Sequence, residues 1–271
     1  MKIGIHLLNR GPNAKRALIL ESARIADALP IDELWVFDHL AIPREQSEGS
    51  QGFYIEPLAT LAYVAGATAR VGIGTRVLIL PYRPPLLTAK WVAAIQELSA
   101  GRLILGVGVG WLDAEFRALG VPKARRGALT DETLDVINRC FAEDEVEVNG
   151  QRFLFRPRPS RPPILVGGNP PQAFARAVRY GDGWMVPRGD DAAALREPIA
   201  TLRRMMREAG KPVPEISVSG TLPLDDRAAA RAKLTALADA GVTRFALNQA
   251  YASGAEFRRM AEQLLAAAGR T

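Results

Sequence analysis

Along this chain of 271 residues, short apolar runs alternate with stretches of helical periodicity from one end to the other. The apolar runs lie at 2–8, 33–37, 71–80, 102–108, 163–167, 183–186, 215–220 and 244–247. Helical patterns fall near 14–28, 56–69, 86–99, 112–119 with 128–142, 170–180, 190–209, 226–240 and 254–268. Strands separated by helices pair in parallel, because a helical crossover returns the chain to the end of the sheet where it began. Eight such units over roughly 250 residues predict an α/β fold, a (β/α)8 TIM barrel forming a single domain over 1–271. A doubly wound open sheet is the competing arrangement, and its lead signature, a Gly-rich turn after the first strand, is missing.

Local signals refine this outline. Asn149-Gly150 inside an alternating stretch predicts a β-hairpin insertion at about 145–155, ahead of the fifth strand. Asn169 reads as a helix N-cap with Pro170 and Pro171 in the first turn, Asp225 as a cap before 226–240, and Ser253 with Glu256 as a capping box.

Composition excludes several functions. Cys140 is the only cysteine and sits in a helical pattern, so it is expected to be a buried apolar residue, with no disulfide and no thiolate metal site. With only His6 and His39 besides, no metal is expected. The formal charge of +6 arises from basic residues scattered along Ala-rich helices, with no basic run interleaved with aromatics. Nucleic acid is therefore not an expected partner, whereas a polyanionic cofactor suits the charge. The opening residues read as a first strand, with neither signal peptide nor membrane span, and the expectation is a cytoplasmic protein acting on a small molecule.

Candidate site residues gather at the ends of the strand patterns. Gly106, Gly108 and Gly110 strip one face of the fourth strand just before a helix, and VGGNPP (166–171) makes a second glycine turn after the fifth. Such faces admit close approach to the backbone, and helix N-termini favour anions; tight packing is the plainer alternative. His6 falls late in strand one, and Asp38-His39 follows strand two, a position suited to proton transfer. In strand three, Gly72 and Gly74 mark either a bulge or room for a large neighbour inside the barrel. Arg76 is either exterior and solvated or aimed at an anionic ligand.

Four blocks carry a resemblance: ELWVFDHLAIP (33–43), VGIGTRVLILPYRPPLLTAK (71–90), GRLILGVGVGWLDAEFRALG (101–120) and PILVGGNPPQAFARAVRYGDGW (163–184). In these the chain resembles the bacterial luciferase-like monooxygenase superfamily of flavin- and deazaflavin-dependent (β/α)8 oxidoreductases. The resemblance is greatest to the coenzyme F420-dependent branch, which implies hydride transfer between F420 and a small organic substrate. It implies His39 as the catalytic residue and cofactor contacts from Asp38, from the strand-three segment Thr75, Arg76 and Val77, and from Gly108, Val109, Gly110, Gly167, Gly168 and Asn169. A non-prolyl cis peptide is implied within 75–77. His6, Trp111 and Trp184 are expected near the substrate, and a homodimer is implied. Trp111 stands where relatives that oxidise a sugar phosphate carry a glutamate, which argues against that activity. An FMN-dependent monooxygenase using O2 and a non-catalytic cofactor-binding paralogue are the alternatives. An aldolase or isomerase would need a strand-end lysine or paired carboxylates, and no lysine falls at a strand end.

Overall fold

A computed structural model describes residues 1–270. The strands are β1 (Lys2–His6), β2 (Glu33–Val36), β3 (Gly72–Thr75), β4 (Leu78–Ile79), β5 (Leu103–Gly108), β6 (Glu145–Val148), β7 (Gln151–Leu154), β8 (Ile164–Gly167), β9 (Gly183–Met185), β10 (Glu215–Gly220) and β11 (Arg244–Leu247). The helices are α1 (Arg16–Ala28), α2 (Pro57–Ala65), α3 (Pro85–Leu98), α4 (Asp113–Ala118), α5 (Arg126–Ala142), α6 (Gln172–Tyr180), α7 (Ala192–Glu208), α8 (Arg227–Asp239) and α9 (Gly254–Ala267). All strands but β6 and β7 form one parallel sheet in the order β3-β2-β1-β11-β10-β9-β8-β5-β4, and β3 also pairs with β5. That pairing closes the sheet into a (β/α)8 barrel with β3 and β4 as two parts of one stave, so the open-sheet alternative is excluded. Strands β6 and β7 form the hairpin, paired antiparallel around Asn149 and Gly150. No helix among the described residues is long and apolar enough to cross a membrane.

The third stave departs from the continuous strand 71–80 read from the sequence. Gly74 pairs with Ile104 and Leu78 with Val107, so four residue steps on one side face three on the other. The additional residue makes a bulge at Arg76 and Val77, and the peptide between these two is cis.

Inside the barrel, Trp35 is completely buried with Ile104, Leu165, Met185 and Ala246. Glycines on neighbouring staves make room for it. A Cβ on Gly4 would lie 2.6 Å from the Trp35 indole nitrogen, and one on Gly74 2.5 Å from its six-membered ring. Gly74 is thus a spacer for a large neighbour. At the opposite end of the barrel from the bulge, Arg244 joins β11 to β2 and β10 through ion pairs with Glu33 and Glu215. Between sheet and helices lies the main apolar core, where Cys140 is buried as expected.

Helix caps follow the sequence in part. Ser253 accepts from the Glu256 amide, while the Glu256 carboxylate reaches back to the Ala252 amide. The cap of α8 is Asp226, which accepts from the Ala229 amide, in place of Asp225. Asn169 does not cap α6. Both prolines precede the helix, leaving Asn169 to offer only its carbonyl to the Ala173 amide.

Candidate active site

The C-terminal ends of the barrel strands surround a cavity of about 590 Å³. Its wall takes Phe37, Asp38 and His39 from beyond β2, Arg76 and Val77 from the bulge, 108–111 from the end of β5 and 167–169 from the end of β8. Residues 185–188, Ser219 and Asn248 complete it. A groove of about 690 Å³ lies between α1 and α9 and is lined by residues of those two helices alone, with none from a strand or its end. The strand-end cavity is the one placed for chemistry in this fold.

His39 stands on the cavity wall with its ring edge-on to Tyr54 and Trp111. Its Nδ1 lies 2.8 Å from Oε2 of Glu115, a fully buried residue of α4. The same oxygen accepts from the Tyr82 hydroxyl at 2.9 Å, and Oε1 accepts from the backbone amides of Leu40 and Ala41. Burial pushes the Glu115 carboxyl up, but the hydrogen bonds from His39, Ala41 and Leu40 outweigh it and hold the group at about 2. Glu115 is therefore ionised and can only accept, so Nδ1 of His39 carries a proton. Nε2 is the ring nitrogen left for the cavity. Burial and the Glu115 carboxylate raise the Tyr82 hydroxyl well above its ordinary value, which keeps it a neutral donor.

Asp38 has a different task from its neighbour. Its carboxylate takes both Arg83 guanidinium nitrogens, at 2.7 and 2.9 Å, and the Ile79 amide at 2.8 Å. Arg83 also pairs with Glu56 at 2.8 Å. Burial works against the Arg83 cation, but Asp38 and Glu56 prevail and raise its pKa. This bidentate pair ties the loop after β2 to the segment after β4 and leaves no free charge on Asp38.

The glycines at the cavity serve the bulge. A Cβ on Gly108 would meet Val77 Cγ2 at 2.5 Å, and one on Gly167 would meet Val77 Cγ1 at 2.8 Å. The molecule that approaches these stripped faces is the chain's own Val77. Gly110 and Gly168 are required by conformation, with φ of 77° and 129°.

The other residues expected at the site divide. Asp38, His39, Arg76, Val77, Gly108, Val109, Gly110, Trp111, Gly167, Gly168 and Asn169 are brought together around the cavity. Thr75 is buried outside its lining and donates to the Gly106 carbonyl at 2.6 Å. Trp184 is buried against Phe174 and donates to the Gly168 carbonyl, so it supports the wall from behind. His6 is also one layer behind, stacked on Phe37 with Nε2 3.0 Å from the Ser219 hydroxyl. Burial, followed by the Arg76 and Arg10 cations, holds the His6 pKa well below its ordinary value, so this ring is neutral. Arg76 points into the barrel, which excludes the exterior reading.

Glu115, Tyr82 and Arg83 were not anticipated. A signal for Glu115 does exist: Leu112, Glu115, Phe116 and Leu119 share helical spacing, and Leu112 and Phe116 are buried with it. An acid on an apolar stripe beside a glycine turn is an expensive placement that calls for partners.

The cavity combines apolar surface with positive charge. Val77, Ile79, Phe37 and Met185 supply apolar surface, and the carboxylates of Asp38 and Glu115 are both fully engaged. Arg76 and Arg188 line the cavity and form no ion pair among the described residues.

Comparison with known proteins bears on the family and the fold. The model of the luciferase-like monooxygenase family matches residues 1–270. An uncharacterized protein of Mycobacterium tuberculosis is 33% identical over 210 residues, covering 71% of this chain and 72% of that protein. An F420-dependent hydroxymycolic acid dehydrogenase of the same species is 31% identical over 229 residues, covering 79% of this chain and 61% of that protein. Among solved structures, the monooxygenase RslO1 from Streptomyces bottropensis is similar with a TM-score of 0.80 at 23% identity, over 98% of both chains. The oxygenating constituent of 3,6-diketocamphane monooxygenase from Pseudomonas putida, in complex with FMN, has a TM-score of 0.67 at 19% identity, over 82% of this chain and 67% of that one. At these identities the two structures establish the shared fold.

Proposed function

The chain belongs to the luciferase-like monooxygenase family, and we propose that it is an oxidoreductase moving a hydride between the deazaflavin coenzyme F420 and a small organic substrate. The observation that carries this reading is His39, an imidazole on the cavity wall whose Nδ1 is tied to the buried Glu115 carboxylate. A deazaflavin, with carbon in place of N5, supplies hydride transfer and reacts poorly with O2. His39 handles the accompanying proton at Nε2, and Glu115 stabilises the imidazolium that forms when the ring takes it up. Val77 and Ile79 offer an apolar backing for a flat ring, and the segments 108–110 and 167–169 would hold the phosphate side. Asp38 keeps the wall in place through Arg83. The surplus of positive charge from Arg76 and Arg188 favours a cofactor bearing several negative charges, and the F420-dependent relative supports the same choice.

The test is to titrate purified protein separately with F420 and with FMN by calorimetry. F420 is expected to bind more tightly, with affinity falling as salt is added, and its reduced form to pass hydride to an acceptor without O2 uptake. Tighter FMN binding with O2 consumption would make the chain a flavin monooxygenase, and F420 bound without turnover on any acceptor would make it a binding paralogue.

A further inference from the structure

Arg76 is a charged side chain in an interior that otherwise has its charges matched. It leaves the bulge of the third stave, crosses the barrel and is buried to about nine-tenths, with 9% exposure. Its guanidinium donates to the Ser217 hydroxyl at 2.6 Å and to the carbonyls of Ser217 and Val186 at 3.2 Å each. All three acceptors are neutral. Asp38 and Glu115 are held by Arg83 and His39, and the nearby His6 is neutral. A buried cation is expensive unless an anion pairs with it. Arg76 also lines the cavity, beside Ser219 and Asn248, which add a hydroxyl and an amide. Three of the five guanidinium N–H groups suffice for the bonds seen, so the planar fork retains donors for a ligand.

We infer that Arg76 is the buried anion-binding residue of the cavity, Arg188 being exposed, and that it takes a planar oxyanion. Two sources have this chemistry: a carboxylate on the substrate, or an ionised oxygen on the cofactor ring. The second rests on the F420 reading above; the first does not. The charge, the fork geometry and the lack of a counter-ion among the described residues all act on either source in the same way.

The experiment has one arm for each source. Benzoate and its neutral isostere benzamide are titrated calorimetrically into cofactor-free protein. F420 is titrated in parallel, and the ionisation of its ring is followed by absorbance against pH. If the substrate supplies the oxyanion, benzoate binds roughly 10- to 100-fold more tightly than benzamide, and folded Arg76→Gln loses the preference. If the ring supplies it, the two probes bind alike, while Arg76→Gln weakens F420 by a similar factor and makes its bound ring harder to ionise. A folded Arg76→Gln that changes neither arm overturns the inference. Should Arg76→Gln fail to fold, Arg76→Lys decides, since it keeps the charge and loses the planar fork. A several-fold drop in either arm supports the inference, and no change in both overturns it. Failure of the wild type to bind either F420 or FMN would end the cofactor reading alone, leaving the benzoate arm to decide on Arg76.

Discussion

His39 Nδ1 and Glu115 Oε2 lie 2.8 Å apart, and the carboxylate is wholly buried with both oxygens occupied. The pair couples a side chain on the cavity wall to one that solvent does not reach. Glu115→Gln should preserve the shape and remove the charge, so that Nδ1–H is no longer enforced and an imidazolium is no longer stabilised. Turnover is expected to fall about 10- to 100-fold, with cofactor affinity changed little. Steady-state kinetics and a cofactor titration on the same preparation check this, and unchanged turnover would remove Glu115 from the machinery.

His39→Ala removes the proton-handling ring itself. A loss of roughly 10²–10⁴-fold in turnover is expected if the ring acts as general acid or base. Glu115 retains the Tyr82 hydroxyl and the amides of Leu40 and Ala41, so the variant should stay folded. Circular dichroism alongside the rate measurement separates lost chemistry from lost fold.

Glu115 also links stability to acid. Its folded value of about 2 lies below the ordinary 4.5, so the ionised form is the one that folding favours. The stabilisation is complete above pH 4.5 and is lost as pH falls toward 2. Glu115→Gln has no such group. The difference in urea midpoint between wild type and variant should therefore change progressively as pH falls from 4.5 toward 2. A difference that stays constant throughout the acid range would contradict the assignment.

Asp38→Ala tests the wall. It leaves the Arg83 guanidinium largely buried with only Glu56 to pair with, and frees the Ile79 amide. Breaking one side of such a pair costs about 3–5 kcal/mol, and the retained Glu56 places the expectation near the lower end. Denaturant unfolding measures it, and a cost below about 1 kcal/mol would mean that the pair is dispensable.

The barrel was readable because its evidence is local and repeated: each strand run, helix pattern and turn carries its own signal. The rim was readable in part for the same reason, since a strand's C-terminal end is known once its direction is. Partner choice was not. Nothing near Asp38 in the sequence says that its carboxylate belongs to Arg83, or that the neighbouring His39 belongs to Glu115. These pairs are made by the closing of the barrel. Arg76 was ambiguous because a one-residue bulge reverses which way a side chain faces, and alternation alone cannot locate such a bulge. Asn169 misled through its composition: Asn-Pro-Pro is a good helix start only when the prolines occupy the first turn, and here α6 begins after both of them, at Gln172.

The glycines of the cavity make the last prediction. Gly108→Ala would bring a methyl group to 2.5 Å from Val77 Cγ2, well inside contact distance. The expected cost is about 1–3 kcal/mol, as for an overpacked core. If the glycine exists to admit Val77, then Val77→Ala in the same chain should recover most of that loss, giving a coupling energy of about 0.5–3 kcal/mol in a double-mutant cycle. Gly110→Ala is the control. Its φ of 77° is unfavourable for any side chain, so its loss should persist in the Val77→Ala background. Unfolding midpoints of the single and double variants decide the matter without any ligand. Strict additivity for Gly108 and Val77 would mean that the bare strand face is not kept for the bulge, and would return it to the ligand.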